Sequence, residues 1–378
     1  MFAVFGVAYS FGAFFSSMAD EFGASSGATA LVFSITISLS FILGLWTGRW
    51  SDAKGPRPVV LTGAAFLFVG LLLTAATPSL WLGYITYGVG VGVAIACGYV
   101  PMVATVGGWF ERRRAAALGI SVAGIGLGTL IASPLAAALI DRTSWRRAYV
   151  IFAFGGAAVM VFAAFVAERG PAAVEAARPR SLATLWSSFE FRVLYLSVLF
   201  ASFGVFVPFV FLASYAEGRG TDPVRAALLV GLIGGASVLG RLGLGVLADR
   251  GGSMRLYFVS FILMSVGHAI WLAAGSSYPI LVVYAIWTGV GYGGFIALSP
   301  AVAAEVFGLD GLGGVIGTLY TAAGVGGFAG PPIAGWLIDR WGDGAGILVA
   351  LAGTLIGTVV LSSLMRTPPR NTRQYRET

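Results

Sequence analysis

The chain has 378 residues, of which 58% are hydrophobic and 10% charged, with 55 glycines, one cysteine and a formal charge of +7. A soluble domain carries about 25% charged residues, so a chain this poor in charge cannot cover itself with polar surface and is expected to have the lipid bilayer as its solvent. A lone Cys97 excludes a disulfide framework, and the positive charge falls in loops, so nucleic acid is not expected as a partner.

A membrane span needs about 20 apolar residues. That ruler predicts twelve spans, at 1–18, 28–48, 58–76, 80–105, 115–140, 148–167, 193–215, 226–248, 256–274, 278–303, 312–337 and 344–365. The first has no charged leader and runs straight into further spans, which argues against a cleavable signal peptide. The longest polar connection, rich in Pro and Arg, lies at the midpoint. The expected organisation is therefore an N-terminal six-helix bundle over 1–168, a cytoplasmic linker over 169–192, a C-terminal six-helix bundle over 193–366 and a cytoplasmic tail over 367–378.

Loop charges set the expected orientation. With the N-terminus inside, sixteen Lys and Arg fall on one side and six on the other. This bias predicts that both termini are cytoplasmic; a multi-pass monomer in the plasma (inner) membrane is expected.

Two signatures recur at one period. Gly48, Asp52, Gly55 and Arg57 follow span 2, and Gly245, Asp249, Gly252 and Arg255 follow span 8, with the aspartates 197 residues apart. Pro134, Asp141 and Arg142 end span 5, and Pro332, Asp339 and Arg340 end span 11, with the aspartates 198 residues apart. Two independent motifs at nearly one offset indicate a duplicated six-helix unit. An Asp near a helix end can cap a neighbouring helix or pair with Arg across the halves. Asp52, Arg57, Asp249, Arg250, Asp141 and Asp339 are thus candidate gating residues.

Arg241 is the remaining cation, within span 8 and eight residues before Asp249, or about 12 Å of helix from the loop. Placing Arg at membrane depth costs about 2.5–3.5 kcal/mol on insertion scales. No carboxylate lies within the spans to neutralise it. A substrate carboxylate would suit the guanidinium fork; the alternative is that Arg241 snorkels or bonds helix-end carbonyls. Phosphate loops, metal-ligand clusters and nucleophile–base constellations are not seen, so neither a catalytic site, a metal nor a cofactor is expected.

Several segments carry a family resemblance. GRWSDAKGPRP resembles the loop after the second helix in the major facilitator superfamily. GYVPMVATVGGWFERRRAAALGISVAGIGLGTLIASP, SWRRAYVIFAFGG and GASVLGRLGLGVLAD resemble the fourth to sixth and eighth helices of its monocarboxylate-transporter branch, related to oxalate–formate exchangers. The resemblance implies an all-α integral membrane fold of twelve helices in two pseudo-symmetric bundles. It also implies alternating access and a membrane Arg, here Arg241, that binds a substrate carboxylate. Three departures stand out. Ser237 replaces an Asp one turn before the Arg, Tyr9 stands where a Lys is found in helix one, and helix eleven carries no Lys. One cation favours one carboxylate, and the proton-coupling details do not carry over. The short Gly- and Trp-containing motif found upstream in that branch is missing, so the true start is expected to lie before Met1.

In that fold the cavity is lined by helices 1, 4, 7 and 10 with parts of 2, 5, 8 and 11. Tyr9, Tyr99, Tyr292 and Tyr320 are then candidate carboxylate partners, or else interfacial tyrosines. Ser237 is a candidate partner of Arg241 or substrate, and Phe209, with Phe206, a candidate apolar wall or ordinary packing. His268 falls on the outer ring, where a structural role is expected. Gly119, Gly124, Gly126 and Gly128 permit close helix packing. The expected function is symport of a lactate- or pyruvate-type monocarboxylate with H+. The alternatives are exchange of oxalate- or formate-type anions, drug or metabolite efflux, and a non-transporting sensor.

Overall fold

A computed structural model describes residues 1–110, 114–168, 182–308 and 311–365, with the side chains of 45, 114–116, 182 and 249 excepted. Most of the expected linker, the tail and the side chain of Asp249 lie outside the described residues. Among the described residues, eleven helices are long and apolar enough to cross a membrane, and a bent pair supplies a twelfth span.

Span 1 is the pair Phe2–Tyr9 and Phe11–Phe22, bent by 42°. Spans 2 to 6 are Ser26–Lys54, Pro56–Ala75, Leu80–Trp109, Arg114–Arg142 and Trp145–Val166. Span 7 covers Phe189–Glu217, and spans 8 to 12 are Pro223–Gly251, Ser253–Ala274, Tyr278–Phe307, Leu312–Trp341 and Asp343–Met365. Several helices outrun the apolar ruler. Span 2 continues to Lys54 and span 11 to Trp341, because polar residues keep their helical hydrogen bonds after the hydrocarbon ends.

Spans 1 and 7 are each interrupted at one residue, which hydropathy did not foretell. Span 1 breaks at Ser10, whose hydroxyl donates to the Val7 carbonyl at 2.8 Å. Span 7 breaks at Phe206, two residues before Pro208, which has no N–H for the ladder. The breaks are 196 residues apart, close to the period of the sequence motifs. Spans 1 and 7 are thus interrupted at equivalent places of a repeated unit.

Within each half, neighbouring spans cross closely. Span 3 packs on spans 4 and 6, and span 9 on spans 10 and 12. Between the halves, span 2 packs on span 11, span 5 on span 8, and span 1 on span 7. These three pairings frame the central site. Glycine makes them possible. A Cβ on Gly335 would stand 2.6 Å from the Gly27 nitrogen, and one on Gly12 would stand 2.7 Å from the Phe209 carbonyl oxygen.

Candidate functional site

The centre of the interface is aromatic. Tyr9 of span 1 stacks on Phe209 of span 7, with ring centroids 4.2 Å apart. Its hydroxyl is 2.8 Å from that of Tyr292 in span 10, a hydrogen bond that joins the halves. Phe209 meets the Tyr292 ring edge-on at 5.5 Å. Phe5 packs against both Tyr9 and Tyr99, in each case at 5.5 Å. Phe41 of span 2 lies between Phe206 and Tyr320. Tyr9 immediately precedes the break at Ser10, and Phe209 follows the break at Phe206.

Arg241 sits against this cluster. It is 4% exposed, and its guanidinium carbon is 5.8 Å from the Tyr292 ring centroid. Its electrostatic neighbours are Tyr292, Tyr99 and Tyr9. Nη1 donates to the Val122 carbonyl of span 5 at 3.2 Å. Among the described residues, Nε and Nη2 have no protein partner. Snorkelling does not account for this placement: the charge is buried rather than extended to a surface. An ion deprived of water and of a counter-ion costs several kcal/mol. The open Nε–Nη2 edge is planar, and its two donors match the two oxygens of one carboxylate.

The other residues singled out in the sequence divide by position. Tyr292 places its ring beside the Arg241 guanidinium, and Tyr9, bonded to Tyr292, is a further electrostatic neighbour of that cation. Tyr99 and Tyr320 are half-buried and interact through their hydroxyls. Ser237 is on the same face as Arg241, but its hydroxyl donates to the Gly234 carbonyl at 2.6 Å and packs against Gly126. His268 lies outside the central site, in the crossing of spans 9, 10 and 12, with Nδ1 3.4 Å from the Thr354 hydroxyl. Phe5, Phe41 and the Val122 carbonyl were not legible as site groups. A phenylalanine in an apolar helix gives no facing signal, and a main-chain acceptor has none at all.

The candidate gating residues behave differently from one another. The Asp339 carboxylate accepts the backbone N–H groups of Ser26 at 3.0 Å and Gly27 at 3.4 Å, capping span 2 from the other half. Its repeat mate Asp141 is exposed, and span 8 is capped instead by its own Asp222. Arg57 lies over the Phe165 ring at 4.4 Å, within the N-terminal half. Asp52 and Arg250 are exposed at the basic end.

These contacts give the interface between the halves a sealed end and a looser end. At the end away from the basic loops, the halves meet through Gly12 and Phe209, Gly27 and Gly335, and Ser133 and the Ala227 carbonyl. Toward the basic end the described approaches are looser: a Cβ on Gly119 would stand 3.4 Å from Leu242 Cδ2, and one on Gly324 3.4 Å from Phe41 Cβ.

A family model described as Major Facilitator Superfamily matches residues 1–262 and 244–378. The chain is 30% identical over 360 residues to monocarboxylate transporter 3 of Rattus norvegicus, covering 89% of this chain and 72% of that one. It is 28% identical over 367 residues to monocarboxylate transporter 12 of the same species, covering 87% and 76%. It is also 28% identical over 331 residues to the MFS transporter asaE of Aspergillus flavus, covering 84% and 72%. In fold it is similar to a bacterial homologue of the human lysosomal transporter Spinster, solved in an inward-facing and occupied conformation. That match has a TM-score of 0.79 at 13% identity and covers 97% of this chain and 95% of that one.

Proposed function

The chain belongs to the major facilitator superfamily and is a multi-pass membrane transporter, not an enzyme; from that premise we propose that it moves a small organic monocarboxylate together with a proton by alternating access. The observation that carries this reading is the buried Nε–Nη2 edge of Arg241, which no protein acceptor occupies. A carboxylate lying side-on to that edge gains two charge-assisted hydrogen bonds while Nη1 keeps its bond to span 5. The cluster of Tyr9, Tyr292 and Phe209 then covers the short organic part of the substrate. The monocarboxylate transporters among the relatives support the substrate class.

With the basic loops placed in the cytoplasm by the positive-inside rule, the sealed end is the outer end and the structure is inward-facing. The fold match to an inward-facing transporter supports this orientation. Residues 1–168 then rock against 193–366. The centre offers Arg241 and tyrosines rather than a carboxylate, so the proton travels with the substrate–Arg241 ensemble or on the acid itself.

The test is uptake of radiolabelled lactate into proteoliposomes with an inward proton gradient. Arg241→Ala removes a bidentate charge-assisted pair worth about 3 kcal/mol, so uptake is expected to fall about a hundredfold. Arg241→Lys keeps the charge but loses the planar fork, and is expected to recover only a small part of the loss. Equal uptake by wild type and Arg241→Ala would overturn the site. Uptake without proton movement would overturn symport and leave anion exchange. Binding without flux would mark a sensor.

A further inference from the structure

The acidic residues near the sealed end are held in different ways. Glu21 accepts from Arg146 at 2.5 Å and from the Trp145 indole at 2.6 Å. Asp343 accepts from Arg219 at 2.7 Å. Asp222 caps span 8 through the N–H groups of Val224 and Arg225, and Asp339 caps span 2. Glu217 ends span 7 and is half-buried in the seam against span 1. The contact described for its carboxylate is a hydroxyl of the other half: Ser16 Oγ donates to Oε2 at 3.4 Å.

The charges around Glu217 do not favour an anion. Arg219 is two residues away, but its guanidinium is committed to Asp343, to the Tyr215 carbonyl at 3.0 Å and to the Tyr215 ring at 3.6 Å. Asp222 acts on Glu217 as a like charge. On span 1, Asp20 lies one turn beyond Ser16 on the same face. Directly beneath, Phe15 meets Phe211 edge-on at 5.1 Å and Gly12 meets the Phe209 backbone. Closing this seam over an ionised carboxylate therefore removes water from a charge that gains a hydroxyl and an acidic neighbourhood in return. A proton relieves both costs, and the acid still accepts from Ser16.

We propose that Glu217 is a proton-binding group of the outer gate, and that spans 1 and 7 close over its neutral form. The proposal rests on the alternating-access reading above. Glu217 faces the outer side when the gate is open and is sealed from the inner side when it is closed. It takes its proton from the outside and returns it there. Glu217 is thus a sensor of external acidity that sets how readily the transporter turns inward. It adds nothing to the number of protons carried with each substrate.

The test is a distance measurement on the full chain in lipid nanodiscs, with spin labels at Ala76→Cys and Ser276→Cys, on opposite halves at the sealed end. No substrate is present, so the result does not depend on whether Arg241 binds a carboxylate. In the wild type, acidification from about pH 8 to about pH 5 is expected to convert long outer-end distances to short ones, with the ratio changing by at most about tenfold per pH unit for one proton. Glu217→Gln is expected to stay short throughout. Ser16→Ala removes a donor that favours the charged form, so its midpoint is expected to move to higher pH. A wild-type distribution that ignores pH, a Glu217→Gln protein that keeps the wild-type response, or a Ser16→Ala midpoint that stays or moves down would each overturn the proposal.

Discussion

At the sealed end, spans 2 and 11 meet backbone to backbone through Gly27 and Gly335, with one carboxylate, Asp339, bonded to main-chain N–H groups. At the centre the same halves meet through large side chains: Tyr9 on Phe209, Tyr9 on Tyr292, and Arg241 reaching across to the Val122 carbonyl. The first region is tight and nearly complete in its hydrogen bonding. The second leaves a buried cation with two donors open. On the proposed alternating-access cycle this interface comes apart at every turn, which suits a seam of many small van der Waals contacts, each individually weak. A site that must hold an ion does the reverse and concentrates an unmet demand in one residue.

The sharpest way to break the contrast is to spoil the small-residue seam. A side chain on Gly335 would be driven into the backbone of Ser26 and Gly27, so Gly335→Val is expected to cost the closed state about 1–3 kcal/mol. Outer-end distances should lengthen, and net uptake should fall about tenfold or more while the folded protein still runs as a single species in size-exclusion chromatography. Retained uptake would mean that the seam is not part of the cycle.

A smaller effect is expected at the centre. Tyr292→Phe deletes the hydroxyl that bonds Tyr9 but keeps the ring beside Arg241. A hydrogen bond of this kind is worth about 0.5–1.5 kcal/mol net, so apparent substrate affinity, read from uptake at graded concentrations, should weaken by a few-fold. A hundredfold loss would make this hydroxyl, rather than Arg241, the principal anchor.

The repeat supplies its own control for the smallest effect. Asp339→Asn weakens a cap made across the halves and is expected to cost about 0.5–1 kcal/mol of closure, seen as a modest rise in the open population. Asp141→Asn is its sequence mate, yet span 8 carries its own cap in Asp222. That variant is expected to stay within about 0.5 kcal/mol of wild type. Equal effects at the two positions would remove the asymmetry between the seams.

The same asymmetry recurs inside the halves. Span 3 crosses span 4 with Gly70 against Gly90, whereas span 9 crosses span 10 with Gly267 against Thr288. His268, beside Gly267, is fully buried there with Tyr284 and Trp271 near it. The duplicated unit keeps its crossings but not its chemistry: buried hydroxyls occur in both halves, whereas the buried ionisable groups Arg241 and His268 lie in the C-terminal one.

Hydropathy alone determined the spans, because a stretch of apolar residues with few charges has one stable solvent. The spacing of Asp52 and Asp249, and of Asp141 and Asp339, determined the repeat. Arg241 stood out because an ion at that depth is too costly to be incidental. Tertiary structure decided the rest. Only the packed helices show that Ser237 spends its hydroxyl on its own helix, that Tyr9 and Tyr292 meet, and that Asp339 caps a distant span while Asp141 does not. Each depends on which helix faces which and at what rotation. In a uniformly apolar helix, every face carries the same hydrophobic signal, and the sequence holds little record of that rotation.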